Sequence, residues 1–231
     1  MTSGCTPDSS IAETIMSPAD LVDRTVHHVR TVLAGEGSGH DWWHVYRVWK
    51  MAQRIGQAED ADLLVVELAA LLHDIADWKF CGGDCAVGPK VASAWLTSLN
   101  VDPGVSDHVS RIIADISFKG AGVEQPTLSL EGQVVQDADR LDAMGAIGIA
   151  RAFAYGGAKG RLIHDPAVKP EEHRTAEAYL KSGGSTVNHF YEKLLLLKDR
   201  TNTATGRAIA EERHAFMEDY LRRFFKEWEG G

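Results

Sequence analysis

The segment from Leu63 to Ile75 opens as LLVVELAALL and is apolar on nearly every side of a helical wheel. A helix of that kind cannot lie on a surface, so other helices must surround it and the chain is committed to a bundle built around this segment. The same segment ends in His73 and Asp74. An aspartate is almost never buried without a partner or a cation. The central helix therefore carries a charge towards the core that has to be met there.

The rest of the chain supplies the surrounding helices. Ser17 before Pro18 places a capping hydroxyl ahead of a proline at the first helical position, and predicts a helix to about Leu33. Gly35, Gly37 and Gly39 end it, and Asp41 can cap a second helix to about Gln57, with Trp43, Val48, Met51, Ala52 and Ile55 facing inward. Asp60 opens the central helix. Further helices are expected over Pro89 to Leu99, from Asp102-Pro103 to Ile116, over Glu131 to Tyr155, over Thr186 to Lys198 with Thr186 or Asn188 as cap, and over Thr205 to Trp228. Gly156 to Glu172 reads as a functional loop. No strand pattern, internal repeat or interdomain linker interrupts the series. The expected fold is all-α, a single-domain helical bundle of about eight helices over 17–231, behind a flexible N-terminal tail at 1–16.

Three separated fragments on these helices share one chemistry: His44 in HDWWHVYRV, His73-Asp74 in LLHDIAD, and Asp139 in QDADRLDA. Two imidazoles and two carboxylates suffice to hold one divalent cation, and the mixture suits Mn²⁺, Zn²⁺ or Fe²⁺ better than Ca²⁺. Neighbouring helical residues point about 100° apart, so His73 and Asp74 can share an ion only if the helix is close to its end there. A lone His44 could equally be a hydrogen-bonded core histidine. Asp77, one turn beyond His73, reaches the same region and could hold or activate a water, or could simply cap the helix. Asp137, Asp139 and Asp142 fall within six residues, and their repulsion calls for a cation, either Arg140 or a metal.

Composition narrows the partners. A net charge of −9 argues against binding a nucleic acid polymer. No stretch approaches 18 apolar residues, and no basic-then-apolar leader opens the chain, so a cytoplasmic protein without a membrane partner is expected. Cys5, Cys81 and Cys85 make no disulfide framework, and Cys81 with Cys85 lacks the second pair a zinc site needs.

These residues resemble the HD-domain superfamily of metal-dependent phosphohydrolases, whose signature is a His, an adjacent His-Asp and a distant Asp. His44, His73, Asp74 and Asp139 fill those places, and ADRLDA is similar to the ADRLHN segment of the ppGpp-hydrolase relatives. The fragments HDWWHVYRV, LLHDIADWKF, ISFKG, VVQDADRLDAMGAIGIAR, NHFYEKLLLLKD and AEERHAFMEDYLRRFFKEW resemble a bacterial subgroup of small single-domain HD hydrolases, from Leu21 to Trp228. The resemblance implies a Mn²⁺-dependent pyrophosphohydrolase that cuts a (deoxy)nucleoside triphosphate to monophosphate and pyrophosphate through a metal-activated water. The cation could also be Mg²⁺, Zn²⁺, Fe²⁺, Ni²⁺ or Co²⁺. Alternatives are a nucleotide phosphomonoesterase or other phosphoester hydrolase, an HD-type iron oxygenase, and a non-catalytic nucleotide-binding module.

The sequence departs from some relatives. The Glu-Asp pair that follows His-Asp in ppGpp hydrolases is replaced by IADWKF, with Asp77 alone. Dinuclear relatives carry extra histidines between the His-Asp and the last Asp, where this chain has only His108, so a single ion is expected. A small phosphorylated substrate needs cations. Lys79, Lys119 and Arg140 are the candidates inside the motifs, each with an ordinary surface place as its alternative. Lys159, Arg161, Lys193 and Lys198 could also reach a triphosphate tail. Trp42 or Trp78 could stack on a base or pack in the core. The oligomeric state is left open, a homodimer included.

Overall fold

The computed structural model describes residues 16–34, 41–76, 87–116, 127–171 and 184–231. Nearly all of the expected tail lies outside them, as do Cys5, Asp77, Trp78, Lys79, Cys81, Cys85 and Lys119. Among the described residues there are nine α-helices and no strand: α1 (Pro18–Val32), α2 (Trp42–Ala58), α3 (Leu63–Leu72), α4 (Val87–Ser98), α5 (Pro103–Ile116), α6 (Leu130–Asp142), α7 (Gly145–Ala158), α8 (Thr186–Glu192) and α9 (Ala204–Trp228). A 3₁₀ segment, Leu194–Arg200, joins the last two.

Helix α3 occupies the centre, as its composition requires. It packs on α1, α2, α5 and α6. Val66, Leu68, Ala69, Ala70, Leu71 and Leu72 are fully buried, and each leucine among them contributes about 2 kcal/mol by leaving water. Around this core, α2 crosses α6, α4 pairs with α5, and α7, α8, the 3₁₀ segment and α9 form a second group joined to the first chiefly through α6 and also through α2. Side-chain caps fix the entries: Ser17 accepts from the Asp20 amide ahead of α1, and Asp41 accepts from the His44 amide ahead of α2. The cap of α3 is Asp62, which accepts from the amides of Leu64 and Val65. Asp60, expected in that role, instead turns the chain with φ 57°.

Several boundaries differ from the sequence reading, and two of them build the site. Helix α3 stops at Leu72, and His73 to Ala76 form a turn in which His73 keeps a right-handed helical backbone, so the His-Asp pair stands at the open end of the helix. The segment read as one helix over Glu131 to Tyr155 is two helices, broken after Asp142, where Gly145 takes φ 68°. That left-handed conformation is cheap only for glycine, and a Cβ there would press on the Arg213 side chain at 3.1 Å. Trp43 faces outward and is 59% exposed, because the inward stripe of α2 runs through Val45, Val48, Ala52 and Ile55. Ser185, rather than Thr186 or Asn188, caps α8 by accepting from the Asn188 amide. Asn188 instead donates its side-chain amide to the Val168 carbonyl, tying down the loop that follows α7.

Asp137 lies near the Arg140 charge but is held by N–H and O–H donors. Its buried carboxylate accepts from the backbone amides of Asn202 and Thr203, each at 2.8 Å, and from the Thr203 hydroxyl and the Asn202 side-chain amide. It thereby anchors the start of α9 to the middle of α6. Gly206 is held to glycine because a Cβ would collide with this carboxylate. Asp137→Ala strands these donors in the interior, and should cost about 3 kcal/mol or more. Urea unfolding should show a lower midpoint at unchanged slope.

Candidate metal centre

The centre forms where the open end of α3 meets the crossing of α2 and α6. His44 lies in the first turn of α2, where Asp41 holds its amide and the buried stripe turns its ring inward, leaving it 1% exposed. Its Nε2 stands 3.3 Å from His73 Nε2, 3.3 Å from Asp74 Oδ2 and 3.5 Å from Asp139 Oδ1. His73 Nε2 is 3.4 Å from the same Asp74 oxygen. His44, His73 and Asp139 each aim one donor atom into a space where all three lie within 4.8 Å of one another. Asp74 closes the side nearest the two rings.

Hydrogen bonds on the far edges of the rings set what the near edges offer. His73 Nδ1 lies 2.8 Å from the Ala70 carbonyl, which can only accept, so Nδ1 carries the proton and Nε2 presents a lone pair. His44 Nδ1 lies 2.7 Å from Asp142 Oδ2, again an acceptor, so a neutral His44 also presents its Nε2 lone pair. Two lone pairs and an Asp139 oxygen then face one space, with the Asp74 carboxylate beside the two rings, an arrangement that repels itself until something positive enters. Asp139 is 43% exposed and marks the open side, whereas Asp74 is 15% exposed.

A proton can supply part of that positive charge. Burial by itself would lower the His44 pKa, but the hydrogen bonds its ring donates to Asp142 and Asp74 and the charges of Asp139 and Asp74 outweigh it and raise it to about 9. Burial likewise would raise Asp142, yet the hydrogen bonds to His44 and Arg47 and the nearby charges of His44 and Arg151 hold its carboxyl well below the usual carboxylate range. The donor set fits a divalent cation through its mixed imidazole and carboxylate chemistry, and such a cation would displace the proton from His44.

The carboxylate cluster divides its labour. Asp137 holds the Asn202-Thr203 entry to α9, Asp139 faces the centre, and Asp142 lies behind His44. Asp142 accepts from Arg47 Nε at 2.6 Å, Arg47 Nη2 at 3.0 Å and Arg151 Nη1 at 2.6 Å. The sequence reading missed Asp142, Arg47 and Arg151 as site residues. Arg47 is one turn from His44 and Asp142 one turn from Asp139, which is a usable signal; Arg151 offers none before the helix break is known.

Other expected residues fall elsewhere. His108 bonds the Ser129 hydroxyl at 2.8 Å and lies 3.6 Å from Glu131. Glu131 is eight residues before Asp139 on α6, about 12 Å along the axis, so His108 belongs to the opposite end of that helix. Arg140 donates to the Arg200 carbonyl, and its charge lies close to Asp139 and Asp137. Lys198 pairs with Asp199 at 3.8 Å. Trp42 is half-buried beneath the Arg30 guanidinium, and Trp49 donates to Glu67.

The raised His44 pKa makes the metal-free protein sensitive to alkali. This contribution is complete below pH 6.5 and is lost as pH rises through about 9, roughly 3 kcal/mol in all. Asp142 acts in the other direction, losing its contribution only in acid. Melting of the chelated protein should therefore weaken between pH 7 and pH 9.5, and His44→Gln should flatten that slope. An unchanged slope in the variant would contradict the geometry.

Comparison with known proteins places the chain in a family. The sequence model of the HD domain matches residues 42–144, which span His44, His73, Asp74 and Asp139. YpgQ of Bacillus subtilis is 43% identical over 205 residues, covering 87% of this chain and 91% of YpgQ. A crystal structure of YpgQ in complex with ADP superposes with a TM-score of 0.73 at 38% identity, over 92% of this chain and 97% of the other. An HD-superfamily hydrolase of Bacillus thuringiensis gives a TM-score of 0.75 at 43% identity, covering 93% of this chain and all of that one. A Lactobacillus plantarum protein reaches 0.80 at 39% identity, over 94% of this chain. HD domains bind divalent metals, and with an all-α bundle that gathers His44, His73 and Asp139, this chain belongs to the HD-domain family, as a metal-dependent phosphohydrolase.

Proposed function

We propose that the protein hydrolyses (deoxy)nucleoside triphosphates to the monophosphate and pyrophosphate at one divalent cation, Mn²⁺ first among the candidates. The observation that carries the site is the meeting of His44 Nε2, His73 Nε2, Asp74 Oδ2 and Asp139 Oδ1. In this reading those four residues are the ligands. Such a cation supplies Lewis acidity, lowering the pKa of water and drawing charge from a phosphoryl oxygen.

The chain's own groups do the rest. His73 is fixed by the Ala70 carbonyl, so its Nε2 needs no rearrangement when the site is filled. The exposed flank of Asp139 is the side from which a phosphate can enter. Asp77, just past the His73 turn, is assigned the proton of the attacking water. Lys79, Lys119 and Arg140 are assigned to the phosphate charge, and the Arg140 charge lies close to Asp139. Support for a nucleotide comes from the ADP complex of YpgQ and from the resemblance over most of the chain. No helix among the described residues is long and apolar enough to cross a membrane.

A panel of nucleoside triphosphates incubated with the Mn²⁺-loaded protein tests this directly. Pyrophosphate and monophosphate in equal amounts are expected, whereas release of orthophosphate alone, from the terminal anhydride, would contradict the reading. Asp139→Ala should lower kcat/KM by at least about 100-fold while the helical circular dichroism is retained.

A further inference from the structure

Asp142 is only 5% exposed, and its two oxygens accept four hydrogen bonds. Oδ1 takes Arg47 Nε, and Oδ2 takes Arg47 Nη2, Arg151 Nη1 and His44 Nδ1. The residues come from three helices, α2, α6 and α7, and all of these contacts lie behind the His44 ring. The two nitrogens of an imidazole point to opposite edges, so a group on Nδ1 cannot share an ion with Nε2. Asp142 is thus placed to act on the centre only through His44.

The fold is shaped to make this contact. On α2, His44 and Arg47 are one turn apart, and on α6, Asp139 and Asp142 are one turn apart. The two helices consequently meet twice, once at the centre and once behind it. Arg151 is nine residues beyond Asp142. In an unbroken helix those residues would sit about 13 Å apart along the axis on opposite faces, beyond the reach of an arginine. The break at Gly145 brings Arg151 Nη1 to within 2.6 Å of Asp142.

We propose that Asp142, clamped by Arg47 and Arg151, is a positioning residue that keeps the His44 proton on Nδ1 and the Nε2 lone pair aimed at the cation. This rests on the reading of His44 as a ligand through Nε2. The clamp explains why an aspartate is required. Three donor groups converge on the carboxylate, and an asparagine in its place has one oxygen to offer and would turn an amide N–H towards one of them. Were that donor to face His44, the ring would have to accept at Nδ1 and carry its proton on Nε2, the wrong tautomer for binding a cation. The arginines also fix both oxygens, so the carboxylate cannot swing away from the ring.

Calorimetric titration with Mn²⁺ and the visible spectrum of the Co²⁺ form, on wild type, Asp142→Asn, Arg151→Gln and His44→Ala, test the proposal. Asp142→Asn should weaken Mn²⁺ binding by about 10–100-fold and shift the Co²⁺ bands. Arg151→Gln, at a partly exposed side chain, should weaken it by about threefold or more, and decides the matter if Asp142→Asn does not fold. A merely structural Asp142 would lower the melting temperature of the metal-free protein and leave affinity and spectrum unchanged; that result overturns the proposal. His44→Ala separates the two levels. If it weakens Mn²⁺ binding while the Asp142 and Arg151 variants do not, only the positioning role fails. If it too leaves binding unchanged, the ligand reading fails and the positioning role with it.

Discussion

The approach of two imidazole nitrogens, His44 Nε2 and His73 Nε2, to 3.3 Å is the contact on which the rest depends. Each ring has its other nitrogen committed to an acceptor, so both turn a lone pair inward, and the carboxylates of Asp74 and Asp139 add negative charge at the same point. In a buried setting such repulsion is stronger than in water, and a bundle would not retain it without a compensating charge. A proton on His44 or a divalent cation can provide that charge. The pull of three carboxylates on His44 and the affinity for a metal are one property of this cluster.

Holding four groups from distant parts of the chain in so small a space requires a rigid frame, and the apolar α3 provides it. Its buried leucines fix its end against α2 and α6, and His73 and Asp74 stand in the turn that follows that end. Asp137 ties α6 to the start of α9 two residues from Asp139, so the position of a carboxylate at the centre is coupled to the second group of helices. The stability of the fold and the precision of the site thus draw on the same segment of α6.

Much of this was legible in the sequence, because the signals were local or chemical. The capping residues Ser17 and Asp41, the all-round apolar α3 and the absence of strand alternation gave the architecture. His44, His73, Asp74 and Asp139 could be paired by the cost of burying charge. The partners of those residues were harder to read, since sequence carries little information about what lies across a helix crossing. Arg151 reaches Asp142 only because Gly145 breaks a run whose periodicity continues unbroken on both sides. Asp137 looked like a member of a charged cluster, and its true partners, the amides of Asn202 and Thr203, lie some 65 residues away in sequence. Trp43 was read as core through its hydrophobicity, although the helical phase set by Val45 and Val48 points it outward.

The central claim is that these four residues form one site for one divalent cation, with His108 outside it. Counting manganese by atomic emission after equilibrating the protein with Mn²⁺ and removing the free ion tests that claim most directly. One ion per chain is predicted, unchanged in His108→Ala and lost in the double variant His73→Ala, Asp139→Ala. Two ions per chain, or a count that falls when His108 is removed, would contradict the account.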